Sequence, residues 1–253
     1  MTRLIISLLV LSAAVASADP AKDIVVAADR ARNPQVPFRM TLTLVNFEQA
    51  KARDQVTLAI HAKIDGTTGQ FKNLVRYVDP PRDAGKLVLL DASKMWFYDP
   101  ASKTSVRISP QQRLTGQAST GDVLTVNLAR DYTAKLVGEE TVKDADHHER
   151  ETWHLDLAAT SSDAMYGRLE YWVERGTYRA IKAKFYSDSG RLTKIAYYRK
   201  FADVLGTQRP METVIIDAVD TNLVTTVTTS DVHERDIPEA WFQRDYLPHI
   251  EAE

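Results

Sequence analysis

The chain has 253 residues, a formal net charge of −2 and no cysteine. That charge gives no broad pull toward nucleic acid or an anionic membrane. The missing cysteines exclude disulfides, thiolate metal sites and a lipid-modified N-terminal cysteine.

The first eighteen residues, MTRLIISLLVLSAAVASA, have the pattern of a secretory signal peptide. Arg3 gives the positive start, Leu4–Ala16 is the apolar run, and Ala16-Ser17-Ala18 is a small-x-small cleavage pattern before Asp19. The run is shorter than the roughly 20 residues that span a bilayer. Cleavage after Ala18 leaves residues 19–253 as a single domain, and an exported, cysteine-free chain without a basic face points to the periplasm of a Gram-negative cell.

Asp19–Arg32 has helical spacing. Ile24, Val25, Ala28 and Ala31 share a face, Pro20 stands at the start and Asn33-Pro34 at the stop. From Phe38 the period changes to two: Phe38, Met40, Leu42 and Leu44 alternate with Arg39, Thr41 and Thr43, the pattern of a half-buried strand. Further strands are predicted at Gln55–Ile64, Gln70–Val78, Lys86–Leu90, Lys94–Tyr98 and Thr104–Ile108. The rhythm breaks over Ser109–Arg130, where a short helix through Leu114 and a second short helix or irregular segment at Asp122–Arg130 are expected. Strands resume at Tyr132–Val142, Glu151–Ala159, Arg168–Arg175, Tyr178–Ser187, Arg191–Phe201, Pro210–Ala218 and Leu223–Asp231. Gly66–Gly69, Arg175-Gly176-Thr177 and Asp188-Ser189-Gly190 supply turns. Ile237–Phe242 reads as a capping turn. About a dozen strands at hairpin spacing predict an antiparallel barrel or strongly curved sheet, with a two-sheet sandwich as the alternative.

The segment Lys94-Met-Trp-Phe-Tyr-Asp-Pro100 resembles a hairpin of the LolA-like family of periplasmic outer-membrane lipoprotein-sorting proteins. Trp96, Phe97, Tyr98, Asp99 and Pro100 carry the likeness, and the following Val106–Arg113 and the ending Ile237-Pro-Glu-Ala-Trp-Phe242 extend it. The resemblance implies a mainly β fold: an incomplete, half-open antiparallel β-barrel with an N-terminal helix, a mid-chain helical lid and an apolar cavity for acyl chains. LolA holds its lid with an arginine beside a proline on an early strand. Here the comparable stretch is Leu74–Arg82, and neither Arg76 nor Arg82 matches that motif, so no latch residue is carried over.

The alternating apolar positions expected to line such a cavity are Met40, Leu42, Leu44, Leu87, Leu89, Trp96, Leu169, Tyr171, Val173, Ile181, Ala183, Phe185 and Ile215. Leu114, Val123, Leu124, Val126 and Leu128 are the expected lid contacts. For each one, ordinary core packing predicts the same alternation. The expected function is a periplasmic carrier, a monomer that binds the acyl chains of a lipoprotein or another lipid and moves them toward the outer membrane. It would take them from an inner-membrane ABC or RND-type transporter and pass them to an outer-membrane acceptor, without nucleic acid, metal or cofactor. A protein-binding accessory factor of an envelope assembly with a solid sheet face is the alternative. An enzyme has little to stand on: His147-His148 lies in a charged loop, Ser189 in a turn, and the sequence has no Gly-x-Ser-x-Gly elbow, phosphate loop or dinucleotide fingerprint.

Overall fold

The computed structural model describes residues 19–91, 94–162 and 164–250. The expected signal peptide, residues 1–18, lies outside them. Helix α1 spans Pro20–Arg32. Asp19 caps it, accepting from the Ala21 and Lys22 N–H groups at 3.1 and 3.4 Å, and Pro20 at the first position gives up an N–H that a helix start leaves unpaired. Its buried stripe is Ala21, Ile24, Val25, Ala28 and Asp29.

Six strands follow: β1 Phe38–Glu48, β2 Lys51–Ile64, β3 Phe71–Asp79, β4 Leu87–Asp91, β5 Lys94–Asp99 and β6 Thr104–Ile108. After the interruption, seven more form: β9 Tyr132–Lys143, β10 Glu149–Ala159, β11 Arg168–Glu174, β12 Ala180–Tyr186, β13 Leu192–Val204, β14 Thr207–Asp217 and β15 Leu223–Glu234. The interruption holds its own small hairpin, β7 Arg113–Thr115 and β8 Ala118–Ser119, then a 3-10 turn Thr120–Val123 and the single-turn helix α2 Leu128–Asp131. The helix expected through Leu114 does not form. Leu114 lies in β7, because the segment pairs Arg113 with Ser119 and Thr115 with Ala118 instead of coiling. The second expected helix shrinks to the two isolated turns, since Leu124–Asn127 stay extended between them.

The thirteen main strands make one antiparallel sheet in the order β6-β5-β4-β3-β2-β1-β15-β14-β13-β12-β11-β10-β9. Two meanders therefore join through the pairing of the first strand with the last, Leu42 opposite Thr229 and Leu44 opposite Val227. The free edges are β6 and β9, the two strands that flank the interruption in sequence. Register shifts between Arg39 and Thr41, Asn46 and Phe47, and Trp172 and Val173 mark bulges, which bend and twist a sheet. The sheet curls without closing, and the chain linking its two edges crosses the concave side.

The larger core lies on that side, with Leu42, Leu44, Leu58, Ile60, Val75, Val88, Leu155, Leu157, Leu169 and Tyr171 packed against α1 and the interruption. The other face of β3–β5 carries a second cluster. There Leu74, Leu87, Leu89 and Tyr98 are covered by Ile237, Phe242 and Leu247 of the C-terminal segment, which turns as 3-10 helix at Glu239–Phe242 and Arg244–His249. No helix among the described residues is long and apolar enough to cross a membrane.

Candidate functional site

Between the concave sheet and the segment 109–131 lies a cavity of about 180 Å³. A single water needs about 10–15 Å³ by that measure, and an engineered cavity of ~150 Å³ in another protein stays dry and takes up benzene. The sheet contributes Phe38, Met40 and Leu42 from β1, Leu169 and Tyr171 from β11, Ala183 and Phe185 from β12, Ile215 from β14 and Val227 from β15. The segment above contributes Val123, Leu124, Val126 and Leu128.

This cover is pinned by polar groups as much as by apolar ones. The Asn33 side chain donates to the Val126 carbonyl at 2.8 Å, and Arg32 Nη2 donates to the same oxygen at 2.8 Å. Asn73, inside β3, donates to the Thr125 carbonyl and accepts from the Thr125 N–H, both at 2.9 Å. Gln70 does the same for Asn127, accepting its N–H at 2.7 Å and donating to its carbonyl at 3.1 Å. The Asp29 carboxylate accepts from the Ala129 N–H at 2.9 Å. Thus the backbone of Thr125, Val126, Asn127 and Ala129, which no sheet ladder satisfies, finds partners in side chains of α1, β3 and the residues flanking them, Asn33 and Gln70. Burial raises the Asp29 pKa, and Arg32 together with the Ala129 N–H only partly offsets it. The hairpin at the other end docks tightly. Asn46 donates to Thr115 Oγ1 at 2.6 Å and accepts from Thr225 Oγ1 at 2.7 Å, and Gln117 N donates to Thr225 Oγ1 at 2.8 Å. Gly116 turns there with φ +49°, and a Cβ at that position would collide with the Asn46 amide.

Two polar groups of side chains interrupt the apolar wall. In one, Lys194 pairs with Asp122 of the 3-10 turn and donates to Ser119 Oγ at 3.2 Å, while the Tyr166 hydroxyl donates to Asp122 at 2.6 Å. Burial and the Asp122 charge push the Tyr166 pKa well above its ordinary value. The second stands at the C-terminal end of α1 and comprises Arg32, Tyr171, Tyr198 and Arg209, all on the cavity wall. Burial raises the Tyr171 pKa, with Arg32 opposing.

Of the positions singled out in sequence, the structure brings Met40, Leu42, Leu169, Tyr171, Ala183, Phe185 and Ile215 onto the cavity wall, with Val123, Leu124, Val126 and Leu128 opposite. Leu44 and Val173 face the same side but are packed solid in the core. Leu114 lies against that core without reaching the cavity, and Ile181 is buried away from it. Leu87, Leu89 and Trp96 are corrections. They point through the opposite face, under the C-terminal segment, while Val88, Leu90 and Met95 take the concave side. The run Leu87-Val-Leu-Leu90 is apolar at every position, so its phase is invisible until both faces have partners. Arg76 likewise turns toward the C-terminal segment, where Nη2 approaches the Ile250 carbonyl at 3.4 Å, and Arg82 pairs with Asp83 at the surface. The groups that hold the cover are Arg32, Asn33, Gln70 and Asn73 instead. Sequence reasoning used Asn33 only as a helix stop. An asparagine within a strand, as at Asn73, is a disfavoured choice that was available as a signal.

Residues 69–249 match a family described as "-like: Uncharacterized protein". Among solved structures, the LolA superfamily protein NE2245 from Nitrosomonas europaea superposes with a TM-score of 0.80 at 29% identity, over 90% of this chain and 100% of that one. The chain belongs to the LolA-like family. An outer membrane lipoprotein-sorting protein domain from Vibrio parahaemolyticus shares the fold at TM-score 0.73 and 18% identity, over 90% of this chain and 98% of that chain. A DUF1329 family protein from Desulfovibrio piger shares it at 0.76 and 19%, over 91% and 100%. No curated protein matches the sequence. This LolA-like chain thus has a lipoprotein-sorting-like fold, with the helix-and-lid cover of its concave face held from α1 and β3.

Proposed function

We propose that this LolA-like protein is an exported, periplasmic carrier that shelters the acyl part of a lipid or lipoprotein in the covered cavity and delivers it toward the outer membrane. The observation that carries this reading is the apolar space beneath a cover whose backbone is held by side-chain hydrogen bonds as well as by apolar contacts. Each methylene moved from water into such a space gains about 0.8 kcal/mol. Each hydrogen bond of the cover is worth about 0.5–1.5 kcal/mol net because water replaces it on opening. Retention therefore grows with every carbon of the tail, while the barrier to release stays modest. Carriage needs no bond-making group, and the reading assigns this chain no enzymatic step. In it, an inner-membrane transporter loads the cavity and an outer-membrane component empties it. The name of the Vibrio relative, a lipoprotein-sorting domain, supports this direction of transfer.

The test is direct. The purified chain is extracted with organic solvent for mass spectrometry and, after delipidation, titrated with a fluorescent fatty acyl probe. Copurified lipid and saturable uptake are expected. A protein that carries no lipid and takes up no probe is the accessory factor instead.

A further inference from the structure

The cavity has an electrically unbalanced end. Its ionisable wall residues apart from tyrosines are Arg32, Asp122, Lys194 and Arg209. Asp122 balances Lys194, and Asp29 balances Arg32 at 3.2 Å. Arg209 is only 5% exposed, yet every partner it has is a carbonyl: Nε donates to Val204 at 3.0 Å, Nη1 to Ala31 at 3.1 Å and Nη2 to Leu205 at 3.4 Å. Among the described residues no carboxylate pairs with it, and burial alone lowers its pKa to about 10. A buried cation without a counter-ion is costly.

Two further donors at this end are idle. Arg32 Nε and the Tyr171 hydroxyl are both buried and without a hydrogen-bond partner, although Arg32 Nη2 already serves Asp29 and Val126. Arg209 holds the carbonyl of Ala31, the residue next to Arg32, and both arginines line the cavity at the C-terminal end of α1. Beyond them the wall is hydrocarbon, with Leu42, Leu169, Ile215 and Leu124. Idle donors and a spare positive charge call for an anion, and the apolar wall calls for an anion attached to a tail.

We infer that this end of the cavity receives the anionic head of an amphiphile, a carboxylate or phosphate accepting from Arg32 Nε–H, the Tyr171 hydroxyl and Arg209, with its tail along the apolar wall. The inference rests on the carrier reading and adds the class of head group. The cavity, at about 180 Å³, suits a single tail.

The experiment titrates the delipidated full chain by calorimetry with dodecanoic acid, dodecyl phosphate, dodecanol and dodecyltrimethylammonium. The two anions bind at least about tenfold more tightly than the alcohol, as charge-assisted hydrogen bonds require, and the cation binds worst. Tyr171→Phe removes only the idle hydroxyl. It keeps the fold and lowers anion affinity about three- to tenfold more than it lowers dodecanol affinity. Arg209→Gln abolishes the preference, and Tyr171→Phe serves alone if that variant fails to fold. Tighter binding of the phosphate than of the acid assigns the head to a phospholipid, and the reverse to a free fatty acid; either order supports the anion site. Equal affinity for acid and alcohol in the unmodified chain, or an anion preference that Tyr171→Phe leaves intact, overturns it while the carrier reading stands. Binding of none of the four removes both.

Discussion

The two faces of the β3–β5 region are covered in opposite ways. On the concave side the cover leaves a hollow and is held by Asn33, Asn73, Gln70 and Arg32 reaching its backbone. On the convex side the C-terminal segment presses Ile237, Phe242 and Leu247 onto Leu74, Leu87 and Leu89, and Arg244 stacks over Trp96 at 4.3 Å. The first attachment exchanges hydrogen bonds with water when it lifts, and the apolar groups it exposes are Val123, Leu124, Val126 and Leu128. The second exposes large apolar groups and has no comparable substitute. On the carrier reading proposed above, the same sheet carries a cover suited to opening and a strap suited to staying closed.

The largest expected effect comes from breaking the strap. Phe242→Ala costs about 3–5 kcal/mol, read as a fall in thermal midpoint, while the folded fraction keeps its uptake of acyl probe. Lost uptake at unchanged stability would reverse the roles of the two covers. A pair of oversized substitutions sharpens the contrast. Leu42→Trp intrudes on the cavity and Leu89→Trp on the solid face, each adding strain of about 1–3 kcal/mol. Only Leu42→Trp lowers probe capacity, and Leu89→Trp is the more destabilising of the two in a denaturant titration. Equal capacities would show that the hollow is not where the probe goes.

Asn73→Ala strands the N–H and carbonyl of Thr125, at about 1–3 kcal/mol for each buried group left unpaired. Much of that cost is avoided by local opening. Amide exchange therefore accelerates across residues 120–129 and probe release quickens, while β10 and β11 keep their protection. Uniform acceleration over the sheet would mean that the cover is not a separate unit.

The smallest effect is the pH dependence of two buried carboxylates, Glu212 away from both covers and Asp29 beneath the cavity's cover. Burial would raise the Glu212 pKa, but hydrogen bonds from Lys200 and Arg199 outweigh it and hold it below the ordinary 4.5. Glu212 therefore contributes stability above pH 4.5, and this contribution is lost as pH falls through the lower folded value. Glu212→Gln flattens that part of the acid limb. Asp29 has the opposite sign: burial raises its pKa above 3.8, so its charged form costs stability at neutral pH and the cost disappears on acidification. Acid unfolding accordingly does not begin at the Asp29 contact, and Asp29→Asn leaves the acid midpoint unmoved or slightly lower.

Local chemistry wrote much of this protein directly into its sequence. Asp19-Pro20 starts α1 and Asn33-Pro34 stops it, and the alternation from Phe38 onward marks β1, because caps, prolines and a period of two act within a few residues. The interruption at 109–131 was legible as a loss of that period. The phase of Leu87-Val-Leu-Leu90 was not, since an all-apolar strand has no outer face until something covers it. The latch was equally hidden. Arg32 and Asn33 lie more than ninety residues from Val126, and only the closure of β1 onto β15 and the curl of the sheet bring α1 to the cover. Strand boundaries follow from neighbours in the chain. The hollow, its charged end and the partners of its cover follow from long-range packing, which sets distances that no local pattern encodes.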